Sequence, residues 1–196
     1  MQFNLPLSIQ VLERTPVTLR ALLSGLSDEW LHASVEGETF SPYDVVGHLI
    51  TGEQTDWMVR THLILQHGAS RPFEKYDRYA QFEHSRGKTI GRLLDEFSAL
   101  RAHNLADLRA LNLSQADLAR EGWHAALGRV TLAQLLATWT AHDLNHISQI
   151  AKAMATTYET AVGPWHAYLG ILKHPPARMD AEGIARKRTA LTSGSR

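Results

Sequence analysis

Trp139-Thr140-Ala141-His142-Asp143-Leu144-Asn145-His146-Ile147 carries two histidines four residues apart in a segment with helical spacing. Residues i and i+4 are neighbours on one face of an α-helix, roughly 5–6 Å apart at Cβ, so both imidazoles can reach one metal ion. Leu132, Leu135, Leu136 and Trp139 lead into the pair, and Ile150 and Met154 follow it, which puts both histidines on an apolar stripe. An imidazole on a buried stripe is unfavourable unless its nitrogens find partners, and a metal ion is one such partner. The spacing alone leaves a second reading open: two unrelated histidines, one buried and hydrogen-bonded, the other exposed.

Working outward, Thr131 is a cap residue for this helix, which is predicted over residues 132 to about 161 and stopped by Gly163-Pro164. A short helix over 165–172 is expected next, with Pro175-Pro176 behind it. Ser41-Pro42 is the clearest helix start, a cap residue followed by proline at the first helical position. That helix is predicted to run to about residue 66, with Val45, His48, Leu49, Gly52, Val59 and Leu63 facing inward. Glycine inside a helix is about 1 kcal/mol worse than alanine, so Gly52 points to a ligand or another backbone approaching closely. Near the N-terminus a first helical turn or two is expected to end at Thr15-Pro16, with Thr15 capping a second helix whose face is Leu19, Leu22, Leu23 and Leu26. Thr89 caps a further helix carrying Ile90, Leu93, Leu94, Phe97, Leu100, Leu105 and Leu108.

Long links over 27–39, 68–87 and 112–129 separate these four amphipathic segments, and no strand alternation is convincing anywhere. The fold class predicted is all-α, a four-helix bundle whose links are long enough for crossover connections. Residues 1–176 are read as the bundle domain, and 177–196 as a polar C-terminal tail, mobile or weakly ordered. Links of the length of 68–87 are often functional, and 112–129 holds His124, which could fold over a site.

The 196 residues include 20 Lys+Arg against 20 Asp+Glu, so no basic excess marks the chain for nucleic acid or an anionic membrane. The absence of cysteine excludes disulfides, thiolate ligands and a catalytic Cys. No signal peptide is seen over Met1 to Pro6, and no apolar run approaches the ~20 residues that span a bilayer, so a cytoplasmic location is expected.

His48 lies on the inward stripe of the second helix and supplies a third candidate ligand to His142 and His146. Three neutral imidazoles suit zinc, nickel, copper or ferrous iron and leave positions for water or substrate, as catalytic rather than structural sites do. His-Asp-Leu-Asn-His is one methylene short of the zincin pattern at Asp143, and nothing after it continues that pattern, which weighs against a metalloprotease. Asp143 and Glu53 are candidates to orient ligand histidines or take a proton, set against a reading of each as an ordinary charge between helices. Trp57, Trp139 and Trp165 are read as core, and the remaining eight histidines as ordinary.

Thr15-Pro16, Ser41-Pro42 with Gly47-His48-Leu49 and Glu53, Gly128-Arg129-Val130-Thr131-Leu132, and the Trp139 to Ile147 stretch together resemble the DinB superfamily of metal-binding bundles, over residues 7 to 172. The resemblance implies a four-helix bundle with crossover connectivity and a divalent metal held by one histidine of the second helix and two of the fourth. The positions that match are His48, His142 and His146. It implies nickel or zinc first, with iron, copper or manganese as further candidates, and a homodimer. Relatives include bacillithiol- and mycothiol-dependent S-transferases, so a small-molecule substrate, with a low-molecular-weight thiol among the candidates, is implied as partner. The functions expected are a metal-dependent thiol S-transferase, a metal-dependent hydrolase, or a metal-bearing stress or binding protein without turnover.

Overall fold

The computed structural model describes residues 3–35, 37–174 and 176–194. Pro175, read above as part of a stop, and Ser195-Arg196 of the tail lie outside them. The four long elements of the bundle are α1 (Leu5–Leu23), α3 (Pro42–Thr55) continued by α4 (Trp57–His67), α6 (Ile90–Ala110) and α8 (Leu132–Thr156). Short helices α2 (Asp28–Leu31), α5 (Gln81–Ser85) and α7 (Gln115–Leu118) sit in the links, and α9 (Ala181–Ser193) follows the bundle. Both α1 and α3 pack against α6 and α8. The circuit around the bundle is therefore α1, α6, α3, α8, with α1 diagonal to α3 and α6 diagonal to α8. These are the crossovers that the long links permit. Among the described residues no helix is long and apolar enough to cross a membrane.

Local chemistry starts these helices where the sequence predicts. Ser41 and Asp44 form a reciprocal capping box with Pro42 at the first position of α3, and Thr131 and Gln134 do the same for α8. Thr89 Oγ1 accepts from the Arg92 N–H at the start of α6.

Several expectations need correction. No break occurs at Thr15-Pro16: α1 runs unbroken through Pro16. Proline lacks the N–H that would bond the Leu12 carbonyl. That carbonyl instead accepts from Arg101 Nη1 at 2.8 Å, and Thr15 Oγ1 turns back to the Val11 carbonyl. The second helix bends at Asp56 (φ −117°, ψ −76°), whose carboxylate pairs with Arg60 Nε at 2.6 Å. The bend changes the phase of the stripe, so Val59 is 52% exposed instead of inward. α8 ends at Thr156, short of 161, and residues 157–161 that follow are exposed. Trp165 is 71% exposed, touching Tyr168 rather than the core, whereas Trp57 and Trp139 are buried and stacked at 5.7 Å.

The third link contains an antiparallel hairpin, β1 (Glu121–His124) with β2 (Gly128–Thr131), pairing Gly122 with Val130 and Trp123 with Arg129. Strands of four residues are too short to display alternation. Gly122 is required there: a Cβ would lie 2.7 Å from both Ile64 and Phe73 side chains. The tail is likewise ordered where a weakly ordered one is expected. Lys187 of α9 is 8% exposed, and its ammonium pairs with Asp44 at 2.7 Å and donates to the Thr39 carbonyl at 3.0 Å.

The core falls into two apolar halves. Leu12, Trp57, Met58, Leu105, Leu108, Leu132, Leu136 and Trp139 fill one. Leu19, Leu23, Val45, Val46, Leu49, Ile50, Leu93, Leu94, Phe97 and Ile150 fill the other. A polar layer lies between them in sequence on three of the four long helices: Glu53 on α3, Arg101 and Asn104 on α6, Asp143 on α8. Arg101, 1% exposed, donates to Glu53 Oε1 (2.8 and 3.0 Å) and to both Asp143 oxygens (2.6 and 3.0 Å). Asn104 Nδ2 and Trp139 Nε1 complete the shell of Glu53. Removing one partner of such a buried network leaves uncompensated charge and costs about 3–5 kcal/mol. Arg101→Ala is expected to lower the urea-unfolding free energy by that amount. Arg20→Ala, which breaks the exposed pair with Asp95, is expected to change it by less than about 1 kcal/mol. Comparable effects from the two would contradict the role given to the layer.

Candidate metal centre

His48 projects from the middle of α3, and His142 and His146 from successive turns of α8, at the level of the polar layer. Their Nε2 atoms converge: His48 to His142 is 3.3 Å, and His146 to His142 is 3.0 Å. Three ring nitrogens, one from each, lie within 4.8 Å of one another. The structure thus brings together all three histidines singled out from the sequence. His48 and His146 are buried, and His142 is partly so.

Burial dominates their electrostatics. It lowers His48 well below the ordinary histidine value, with the facing His146 and His142 and the nearby Arg78 acting in the same direction. Burial lowers His142 to about 3, helped by His146 and Arg101. Burial also lowers His146, against the opposing pull of Gln149 and Asp143. All three are neutral near pH 7, the state in which imidazole offers a lone pair.

The outer nitrogens are not equivalent. His48 Nδ1 meets the Tyr76 hydroxyl at 3.1 Å, and His146 Nδ1 meets Gln149 Oε1 at 2.7 Å. His142 Nδ1 is buried without a hydrogen-bond partner. Tyr76 comes from the 68–87 link, which passes over the site after its Phe73 N–H has bonded the Trp123 carbonyl of the hairpin. Burial raises the Tyr76 phenol well above its ordinary value, so it stays protonated.

Glu53 and Asp143 lie beside the histidines but are bound to Arg101, and among the described residues neither hydrogen-bonds a ring nitrogen. The layer holds one guanidinium against two carboxylates. Burial pushes Glu53 above the ordinary carboxyl range despite Arg101. Burial opposes the Arg101 charge, and Glu53 and Asp143 outweigh it, holding the guanidinium above its usual value. Gly52 makes room for an indole rather than for a ligand or backbone: a Cβ there would lie 3.1 Å from Trp57 Nε1.

Two cavities flank the cluster, and Tyr76 borders both. One, about 310 Å³, is mainly apolar, with Trp57, Phe73, Val130 and Leu135 in its walls and His142 and His124 at its edge. The other, about 340 Å³, exposes His48 and His146 and carries Arg78, Arg178, Asn145 and Gln149, with no carboxylate in its lining. His124 does fold toward the site, as its place in the link suggested. Tyr76 gave no signal in the sequence. Gln149 had one, being three residues beyond His146 and hence on the same face. Arg101 had one too, since it interrupts the stripe of Phe97, Leu105 and Leu108.

The family model of the DinB superfamily matches residues 11–150, most of the chain. The chain belongs to the DinB superfamily. A solved structure described as "YfiT from Bacillus subtilis is a probable metal-dependent hydrolase with an unusual four-helix bundle topology" is 25% identical, with a TM-score of 0.66. The alignment covers 78% of this chain and 87% of that one. A search of curated proteins gives no match. The four-helix bundle of this DinB-superfamily chain agrees with the topology described for that structure.

The depressed histidines give a pH signature. In the folded chain, free of metal, they bind a proton less readily than in the unfolded chain, so stability is present above the ordinary value of 6.5. It falls as pH drops below 6.5, continuing toward the folded value of about 3 for His142. Between the two values His142 contributes a slope of about 1.4 kcal/mol per pH unit. Urea-unfolding free energies measured in chelator from pH 7 to pH 4 are expected to fall more shallowly for His142→Gln than for wild type. Parallel curves would refute the assignment.

Proposed function

We propose that this protein is a divalent-metal-dependent enzyme, with His48, His142 and His146 as the metal ligands, and that it transfers a low-molecular-weight thiol to an electrophile. The observation that carries the metal reading is the convergence of three buried, neutral Nε2 atoms at 3.0 and 3.3 Å. Hydrogen bonds cannot satisfy all three at once, since no other donor stands among them, whereas one ion can. Tetrahedral zinc with imidazole nitrogens at about 2.0–2.1 Å separates them by about 3.3 Å, so the residues fit the ion. Nickel, iron, copper and manganese are accommodated by the same donor type. A divalent ion held there supplies Lewis acidity, which lets a thiol or a water react as a nucleophile near neutral pH.

The chain's own residues favour two organic reactants. The cavity bearing Arg78, Asn145 and Gln149 suits a polar small molecule, Arg178 there being already paired with Glu38, and the cavity walled by Trp57, Phe73 and Leu135 suits an apolar one. The imidazoles stand between them, which is the arrangement a transfer reaction requires. Glu53 and Asp143 are engaged by Arg101 and are not offered as proton acceptors. Hydrolysis is the second reading, supported by the description of YfiT as a probable metal-dependent hydrolase.

Elemental analysis of untagged protein is expected to find about one divalent ion per chain, lost in His48→Ala, His142→Ala and His146→Ala. A wild type that binds no ion when offered zinc or nickel would overturn the proposal. Metal-loaded protein is expected to consume a thiol and a model electrophile together, at least about tenfold faster than His48→Ala. Ester or amide hydrolysis without thiol consumption would replace transfer with the second reading.

A further inference from the structure

Two of the three imidazoles are held from behind by groups that the sequence did not single out. Resting on the metal reading above, we infer that Tyr76 and Gln149 are positioning residues that hold His48 and His146 in the tautomer whose Nε2 carries no proton and faces the cluster. For His146 the direction follows from the partner. Gln149 presents its carbonyl oxygen, Oε1, to Nδ1 at 2.7 Å, and a carbonyl oxygen can only accept. The proton of neutral His146 therefore sits on Nδ1, leaving the Nε2 lone pair free.

For His48 the direction follows from a second contact. The Tyr76 hydroxyl touches both His48 Nδ1 at 3.1 Å and the His48 carbonyl at 3.4 Å. The carbonyl can only accept, so for both contacts to be hydrogen bonds at once the hydroxyl gives its one proton to the carbonyl and accepts from Nδ1–H. His48 is thereby left with its lone pair on Nε2, 3.3 Å from His142 Nε2. His142 has no such partner, its Nδ1 being buried and unbonded. Behind the cluster its ring is held by packing, edge-on to Trp57 at 5.1 Å. Outer hydrogen bonds of this kind fix tautomer and ring orientation in metal sites, and their loss typically weakens metal affinity 10–100-fold.

The test uses the full chain and two separate sites. Tyr76→Phe removes only the hydroxyl, Gln149→Leu removes the acceptor, and Gln149→Glu restores a group that can only accept. Ring-nitrogen NMR of the metal-free protein near pH 7.5 reads the tautomers. Competition with a chromophoric chelator reads zinc affinity. Wild type is expected to show Nδ1–H at His48 and His146. In Gln149→Leu, His146 loses that single tautomer and zinc binds about 10–100-fold more weakly, while Gln149→Glu stays at the wild-type level or above. Tyr76→Phe does the same to His48, and the His142 tautomer is unmoved by either variant. Unchanged tautomers and affinities in both variants would overturn the inference, as would failure of Gln149→Glu to restore them. A wild type that binds no zinc would defeat the metal reading, while the tautomer measurement still decides the inference. Because the two positions lie on different segments, misfolding of one variant leaves the other decisive.

Discussion

A single buried cation fixes the arrangement of this bundle. Arg101 on α6 reaches the Leu12 carbonyl of α1, Glu53 of α3 and Asp143 of α8. Burying a guanidinium and two carboxylates carries a desolvation penalty of several kcal/mol per ion, which only close, multiply hydrogen-bonded geometry offsets. That geometry exists only when all four helices stand at the right height and rotation. The network therefore selects one register among the many that the leucine-rich halves above and below would tolerate. Proline 16 belongs to the same device, since it frees the carbonyl that Arg101 takes. Glu53 follows His48 by little more than a turn, and Asp143 is the residue after His142. The register that satisfies the arginine is the register that brings the imidazoles together.

Much of this was legible in the sequence because helix periodicity and caps are local. Ser41-Pro42, Thr89 and Thr131 announce their helices, and His48, His142 and His146 declare themselves by lying on apolar stripes. What could not be read depends on contacts distant in sequence. The continuity of α1 through Pro16 needs a donor 85 residues later in the chain, at Arg101. The order of α9 hangs on Lys187 meeting Asp44, and its polar composition otherwise resembles a solvated tail. The bend at Asp56 leaves no mark in a pattern whose apolar residues continue on both sides. Trp165 misleads for the opposite reason: size and apolarity suggest core, but its segment docks through Leu172 and leaves the indole exposed. Tyr76 lies in a link with no periodicity to point it anywhere.

The two cavities differ in where their walls come from. Every lining residue of the apolar one falls within the stretch shared with the superfamily, 11–150. The polar one also takes Ala177, Arg178 and Met179, beyond that stretch. The segment is moored by the Met179 N–H on the Glu38 carbonyl and by Lys187 under the cap of α3. The three imidazoles and the apolar chamber thus fall inside the stretch that the family model matches, while part of the other chamber falls outside it.

The diagonal placement of successive helices has a kinetic consequence. In an up-and-down bundle each helix docks on its neighbour in the chain, and the structure can grow hairpin by hairpin from local contacts. Here α3 and α6 are the one pair of consecutive bundle helices that also touch extensively; α1 and α8, at opposite ends of the domain, must find each other, α1 packing also on α6 and α8 on α3. Such long loops raise the mean sequence separation of contacts, which slows folding relative to simple helical bundles. His48 and the pair on α8 are joined only by that distant closure. A ligand that needs all three therefore stabilises the packing of α3 on α8, two helices far apart in the chain, rather than any local piece of the bundle.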